Sequence, residues 1–323
     1  MPRTASTRLL AACALCIACA SASGFDLQGH RGTRGLAPEN TLPAFERALA
    51  IGVDTLELDI GVTADGVVVI SHDPFLNPVI TRNAQGQWLA DRGPLIHSLT
   101  LAQLQAYELG RIRPGTPYAA LFPRQQPRDG TRMPTLASLF ALVKARGAKV
   151  RFNIETKIDP TRPADTVDAE TMTTALLQVV REAGMEDRVT IQSFDWRTLR
   201  LVQRLAPAIP TVCLTVQAPT SDTTADTRWT AGLSRADHGS VPALVKAAGC
   251  AAWSPNAGAL TQALVREAQA SGLQVIPWTV DDPAQMDQLL GWNVDGLITD
   301  DPDRARDVMA RRGMPLPAPS PAP

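Results

Sequence analysis

The spacing of apolar positions changes period along the chain. From 55 to 60 it alternates: Leu56, Leu58 and Ile60 fall on one side, Glu57 and Asp59 on the other. That is the period of a strand carrying two acids on one face. Over 42–52 the apolar positions Ala44, Phe45, Ala48 and Leu49 recur at helical spacing. Asn40 or Thr41 suits the N-cap, Pro43 the first turn and Gly52 the stop. A short strand at 25–29 precedes this helix, so the chain opens as β-α-β. A second β-branched strand, 67–71, follows after only Thr63 to Gly66, with Asp65-Gly66 as a turn signal. A parallel crossover needs a dozen residues or more, so the two strands form an antiparallel hairpin. Counting back from the turn places His72 opposite Glu57.

Residues 74–132 break this rhythm, with one helix-like segment at 101–109. A stretch that long reads as a functional loop or a small cap. Regular alternation then resumes. Helices are predicted at 136–146, 170–183, 196–205, 241–248, 261–271, 282–290 and 304–311. Strands are predicted at 149–157, 189–194, 211–216, 251–254, 274–280 and 294–299. Leaving out the hairpin strand, eight strands alternate with helices. This predicts an α/β fold, a (β/α)8 TIM barrel with a hairpin after the second strand and a small insertion at about 74–133. An open doubly wound sheet is the alternative. Its usual G-x-G-x-x-G and P-loop signatures are absent.

Composition adds compartment and excludes some partners. The 323 residues carry a formal net charge of -1, so nothing points to nucleic acid. Residues 1–22 read as a signal peptide: Arg3 and Arg8 start it, 9–18 are apolar, and Ala20-Ser21-Ala22 offers a cleavage site. The apolar run is too short for a stable membrane span, which predicts a periplasmic or secreted protein. Lipid attachment at Cys19 is the alternative, weakened by Cys16 standing where a lipobox has Leu. Cys213 and Cys250 lie outside this segment and read as two buried thiols on separate strands, with a disulfide as the other option. The mature domain spans 23–312, and the Pro-rich end, 313–323, is expected to be disordered.

In a barrel of this type the functional groups stand at the C-terminal ends of the strands. His30, Arg31, Glu57, Asp59, Glu155, Lys157, Gln192, Trp278 and Asp300 all fall there, and His72 reaches the same rim through the hairpin. Three carboxylates without a thiolate (Glu57, Asp59, Glu155) suit one hard divalent cation, Ca²⁺ or Mg²⁺. Arg31 and Lys157 suit a phosphoryl oxygen, and His30 and His72 suit general acid and base. The combination points to metal-assisted phosphodiester hydrolysis.

The chain also resembles a family. His30-Arg31-Gly32, Pro38-Glu39-Asn40-Thr41, Glu57-Leu58-Asp59 with Thr63-Ala64-Asp65-Gly66 and His72-Asp73, Asn153-Ile154-Glu155-Thr156-Lys157, and Pro277-Trp278-Thr279-Val280 are similar in order and spacing to glycerophosphodiester phosphodiesterases. The resemblance implies hydrolysis of a small-molecule glycerophosphodiester to sn-glycerol 3-phosphate and an alcohol. It implies Glu57, Asp59 and Glu155 as metal ligands, His30 and His72 as the acid/base pair, and Arg31 and Lys157 on phosphate. It places Glu39 at the edge where metal and glycerol meet, and the loop after Asp73 over the glycerol side.

Each residue has a plainer reading. The histidines could be satisfied core groups, and the acids could be ion-paired with Arg31 or Lys157. Lys157 could be a solvated strand end, Glu39 a cap for the following helix, and Trp278 barrel packing rather than a wall for the glycerol. Gln192 and Asp300 read as rim hydrogen bonders or caps, and His97 and His238 as surface residues. Two rival functions stand beside the first: a barrel phospholipase of C or D type acting on intact lipids, and a non-catalytic glycerophosphodiester-binding protein.

Overall fold

The computed structural model describes residues 24–320. The signal-peptide reading therefore lies outside the described residues. The strands, in chain order, are β1 (Asp26–Gly29), β2 (Thr55–Val62), β3 (Val68–Ile70), β4 (Arg151–Thr156), β5 (Val189–Ser193) and β6 (Thr211–Thr215). A two-stranded ribbon follows, β7 (Gln217–Ala218) and β8 (Ser221–Asp222), then β9 (Ala252–Pro255), β10 (Gln274–Val275) and β11 (Gly296–Thr299). Eight of them form a parallel circuit in the order β10-β9-β6-β5-β4-β2-β1-β11. Three backbone hydrogen bonds cross the remaining seam: Asp295 N to Val275 O (2.9 Å), Ile298 N to Pro277 O (3.0 Å) and Val280 N to Ile298 O (3.0 Å). The expected barrel is thus observed.

Two expectations about strands change in detail. The strand foreseen over 274–280 is regular only at Gln274–Val275. Pro277 has no N–H for a ladder, and Trp278 N bonds singly to Pro255 O at 3.0 Å. The hairpin is one residue out of the expected register. Ile60 pairs with Ile70 and Val62 with Val68, and Thr63 N joins the ladder to Val67 O at 3.0 Å. That leaves a three-residue loop ending at Gly66 in the left-handed region (φ 78°), a common hairpin geometry. Ser71 N consequently bonds to Asp59 O (3.0 Å). The same register sets His72 across from Leu58, not Glu57.

The main core fills the layer between strands and helices. Leu56, Leu58 and Ile60 pack there with Phe45, Leu49, Phe140 and Phe152. The helices start where the sequence supplies caps: the side chains of Thr41, Thr135, Asp168, Asp195, Ser240, Thr261 and Asp282 each accept from a first-turn N–H. Inside the barrel, Val212, Ala252, Ile276 and Ile298 form a small apolar cluster under Trp278. Across from it the filling is amide. Asn153 Nδ2 donates to Gln28 Oε1 (2.9 Å) and Gln192 Oε1 (2.8 Å). These buried amides satisfy one another and support the acids above them.

Cys213 and Cys250 form a disulfide, with Cα atoms 5.9 Å apart. This corrects the reading as two free thiols. Although 37 residues apart in sequence, they lie on and just before neighbouring strands, since β6 pairs directly with β9. Both thiols face the helix layer.

The insertion packs Leu76, Ile96, Leu104 and Met133, flanked by Leu89, Leu99 and Leu109, against Val69 of β3 in a separate small core. Its last part carries a short helix, Pro117–Leu121, capped by Thr116. The Pro-rich end, expected to be disordered, forms no helix or strand over residues 314–320. It is tied down by Ser320 N to Leu49 O (2.9 Å) and Arg306 Nη1 to Pro317 O (2.6 Å). Among the described residues no helix is long and apolar enough to cross a membrane.

Candidate active site

The loop after β1 needs its glycines to turn back under the rim. A Cβ on Gly29 would lie 2.2 Å from Gly32 O, and one on Gly32 (φ 84°) 2.8 Å from the Ala44 carbonyl carbon. Arg31 is itself left-handed (φ 50°). It is held so by Asn40 N to Arg31 O (3.0 Å) and by Arg31 N to Glu57 Oε2 (2.9 Å). This turn carries His30 and Arg31 onto the rim beside β2.

Glu57, Asp59 and Glu155 converge, each offering an oxygen within 4.8 Å of the others, and all three are buried. The register explains it: Asp59 pairs with Glu155 across β2 and β4, and Glu57 stands two residues below. Gln192 Nε2 donates to Glu57 Oε1 (2.7 Å), and Asn40 Nδ2 to Asp59 Oδ2 (2.9 Å). Lys157 Nζ lies 2.8 Å from Glu155 Oε1 and 3.7 Å from Asp59 Oδ1. Arg31 Nη1 donates to Glu39 Oε1 (2.7 Å), and its Nε lies 3.4 Å from Asp59 Oδ2.

The charges do not balance. Glu39, Glu57, Asp59 and Glu155 bring four carboxylates against two cations, Arg31 and Lys157. Two negative charges are left over in a buried setting, which suits a divalent cation held by hard oxygen ligands. Burial and the charge of Asp59 push Glu57 well above the usual carboxylate range. Glu155 is pushed up to about 7 by burial, with Lys157 opposing and Asp59 adding to the shift. Burial opposes ionisation of Asp59, but His72, Lys157 and Arg31 together hold it below its ordinary value.

Each histidine is oriented by an aspartate. His30 Nδ1 lies 2.7 Å from Asp300 Oδ1, and its Nε2 faces Glu57 Oε2 at 3.9 Å. Arg34 grips Asp300 through Nε (3.0 Å) and Nη2 (2.8 Å). Asp300 stays ionised: burial opposes this, but His30 and Arg34 hold its carboxyl below the ordinary range. The proton of neutral His30 therefore sits on Nδ1 and leaves Nε2 an acceptor. Burial lowers the imidazole itself to about 4 against the pull of Asp300. His72 Nδ1 lies 3.0 Å from Asp73 Oδ1, and Asn77 Nδ2 anchors the same carboxylate by donating to its Oδ2 at 2.6 Å. Burial, with Arg31 and Lys157 nearby, lowers His72 too.

Glu39 does not cap the following helix. Thr41 does, accepting from Ala44 N at 3.3 Å. Glu39 instead bridges Arg31 and the hydroxyl of Tyr118. Trp278 caps the inner apolar cluster, donates Nε1–H to Ser254 O (3.0 Å) and meets Phe194 edge-on at 5.4 Å. Phe194 in turn lies under Lys157 Nζ, 5.8 Å away. Asp300 does more than hydrogen-bond at the rim, because it holds His30. Arg34 and Tyr118 were not foreseen. Arg34 lies one turn of chain beyond His30, and Tyr118 enters from an insertion with no regular pattern. His97 bonds Ala164 O at 3.1 Å, away from the cluster.

A rim of this kind defines barrel hydrolases that act on an anionic ester with a divalent cation. Comparison with known proteins supplies the family. The model of the Glycerophosphoryl diester phosphodiesterase family matches residues 30–304, and the chain belongs to that family. A Glycerophosphodiester phosphodiesterase from Caldanaerobacter subterraneus subsp. tengcongensis is 28% identical over 286 residues, 88% of this chain and 97% of the relative. One from Bacillus subtilis is 30% identical over 279 residues, 85% of this chain and 83% of the relative. A solved chain from Silicibacter pomeroyi carrying the same family name superposes with a TM-score of 0.80 at 34% identity, covering 90% of this chain and 95% of that one. The fold is also shared with an Oleispira antarctica phosphodiesterase in complex with the product sn-glycerol-3-phosphate (TM-score 0.65, 21% identity, 88% and 96% covered).

Proposed function

We propose that this protein is an exported glycerophosphodiester phosphodiesterase that uses one divalent cation, Ca²⁺ or Mg²⁺, held by Glu57, Asp59 and Glu155. The observation that carries the reading is the pair of aspartate-oriented imidazoles beside that carboxylate cluster. A protein that only bound the diester would have no use for two aligned proton carriers.

Bound there, the cation supplies Lewis-acid polarisation of a phosphoryl oxygen and neutralises charge. The chain supplies the rest. Arg31 and Lys157 offer N–H donors to the phosphoryl group, and their own acid partners keep both protonated and in place. One imidazole takes a proton from the attacking oxygen, water or the glycerol 2-hydroxyl, as it bonds to phosphorus, and the other gives a proton to the departing alcohol as its P–O bond breaks. Where the 2-hydroxyl attacks, water then opens the cyclic phosphate with the same two imidazoles. The products are sn-glycerol 3-phosphate and an alcohol. Phe194, edge-on to Trp278, packs beside Lys157 and forms an apolar wall on that flank.

Export is supported by the Cys213–Cys250 bond, a feature of oxidising compartments. The test of function is a coupled assay for glycerol 3-phosphate on glycerophosphocholine and on phosphatidylcholine micelles. Turnover of the first alone is expected. Turnover of the micelles would favour the phospholipase reading, and binding without turnover the binding-protein reading. N-terminal sequencing of protein from the periplasm or medium tests cleavage after Ala22.

A further inference from the structure

We propose that Tyr118, brought in by the insertion, is a positioning residue of the site: it fixes Glu39, and through Glu39 it sets the orientation of Arg31. The proposal rests on the reading of Arg31 as a phosphoryl donor.

Arg31 has little else to hold it. Among the described residues, the contact from Nη1 to Glu39 Oε1 (2.7 Å) is the only hydrogen bond its guanidinium makes. Its Nε is buried without a hydrogen-bond partner, with Asp59 Oδ2 at 3.4 Å as a charge contact only. The plane of the guanidinium is therefore set by where Glu39 stands. Glu39 has two oxygens and two partners. Oε1 accepts from Arg31, and Oε2 accepts from the Tyr118 hydroxyl. Glu39 is buried, so Oε2 has no ready solvent donor if Tyr118 is lost. A freed carboxylate can rotate and take Arg31 Nη1 with it.

Tyr118 itself is held from both sides. Its ring meets Phe122 edge-on at 5.1 Å, and Phe122 lies under the Arg34 guanidinium at 4.7 Å. Gln125 Nε2 donates to Arg34 O (2.8 Å), and Gln126 N to Leu36 O (3.0 Å). Arg124 Nη1 donates to Asp301 Oδ1 (3.0 Å), one residue beyond the carboxylate that orients His30. The stretch 117–126 thus acts as a strap clipped to the His30–Arg31 turn and to the end of the last strand. Its rigid clipping is what makes one hydroxyl a useful reference point.

The test is steady-state kinetics on glycerophosphocholine for the parent, Tyr118→Phe, Glu39→Gln and the double variant, with competitive inhibition by glycerol 3-phosphate as a second readout. Tyr118→Phe keeps the ring contacts and removes the donor to Glu39 together with a long contact that the hydroxyl accepts from Arg34 Nη1 (3.4 Å), while Arg34 keeps its two bonds to Asp300. It is expected to raise KM and the inhibition constant together by about tenfold, with kcat within about threefold and melting unchanged. In the Glu39→Gln background the same change is expected to cost nothing more. A Tyr118→Phe enzyme within about twofold of the parent in both constants overturns the proposal. So do losses that multiply in the double variant, which would mean that Tyr118 does not act through Glu39. A KM loss matched by a fall in melting temperature also overturns it, in favour of a purely structural role. An inactive parent would instead overturn the phosphodiesterase reading, so the two failures are distinct.

Discussion

His30 Nδ1 and Asp300 Oδ1 meet at 2.7 Å although 270 residues separate them in sequence. The contact forms because β1 pairs with β11, the first strand of the barrel with the last. Arg34 grips both oxygens of the carboxylate, which keeps Asp300 in place as the acceptor that orients the imidazole. Asp300→Asn keeps the shape but replaces an obligate acceptor with an amide that can present a donor. We expect kcat to fall by about 10²–10⁴ with KM within about threefold, measured at saturating substrate. An Asn variant as fast as the parent would show that the pair is structural.

The two imidazoles divide one proton transfer in and one out. His30→Gln and His72→Gln are each expected to lose about 10²–10⁴ in kcat on glycerophosphocholine. A p-nitrophenyl ester of glycerol phosphate has a leaving group that needs no proton. On that substrate one of the two variants should recover most of its rate and identify the acid. Equal recovery, or none in either, contradicts a division of roles.

The acids of the rim make stability depend on pH in a direction that the cation reverses. Glu155 has its carboxyl raised to about 7 in the fold, so below that value the folded state holds a proton that the unfolded chain releases. Burial holds His30 down to about 4 and lowers His72 too, so below about pH 6.5 the unfolded imidazoles take up protons that the fold does not, which offsets the acid. Without a cation, the net fall in stability is therefore expected between about pH 6.5 and about 8. Asp300 runs the other way, because its lowered carboxyl contributes stability that disappears as pH falls below its unfolded value of 3.8. Scanning calorimetry in EDTA should thus show a maximum on the acid side of neutrality. Saturating Ca²⁺ or Mg²⁺ should remove the decline towards pH 8. A curve in EDTA that climbs steadily to pH 8 would contradict the charge imbalance at the rim.

The disulfide closes a sequence separation of 37 residues. In the chain-entropy picture a loop of that size contributes about 4 kcal/mol, and measured values are often lower. Cys213→Ser/Cys250→Ser should lower the melting temperature by several degrees with kcat unchanged, because both thiols face the helix layer. Equal melting of oxidised and reduced protein would argue against the bond.

Legibility in the sequence followed the distance over which each feature is encoded. Glu57 and Asp59 sit two apart on a strand, so their shared face is a local fact, and β4 adds Glu155 by simple alternation. The register of His72 was misjudged because a single main-chain bond, Thr63 N to Val67 O, decides whether the loop has three residues or four. Asp300 read as a rim residue because its partner lies at the opposite end of the chain. The cysteines read as separate because the pairing of β6 with β9 brings them together across an intervening ribbon and helices. Tyr118 left no signal. It reaches Glu39 from a segment whose path is set by contacts with the barrel, not by any periodicity of its own.

The central claim is that Glu57, Asp59 and Glu155 hold a divalent cation on which hydrolysis depends. The direct measurement is glycerol 3-phosphate release from glycerophosphocholine by chelator-stripped protein, before and after stepwise return of Ca²⁺ or Mg²⁺, alongside Asp59→Asn. We predict that stripping abolishes turnover, that one of the two ions restores it at one equivalent per chain, and that Asp59→Asn cannot be restored. Full activity in the stripped protein would contradict the account.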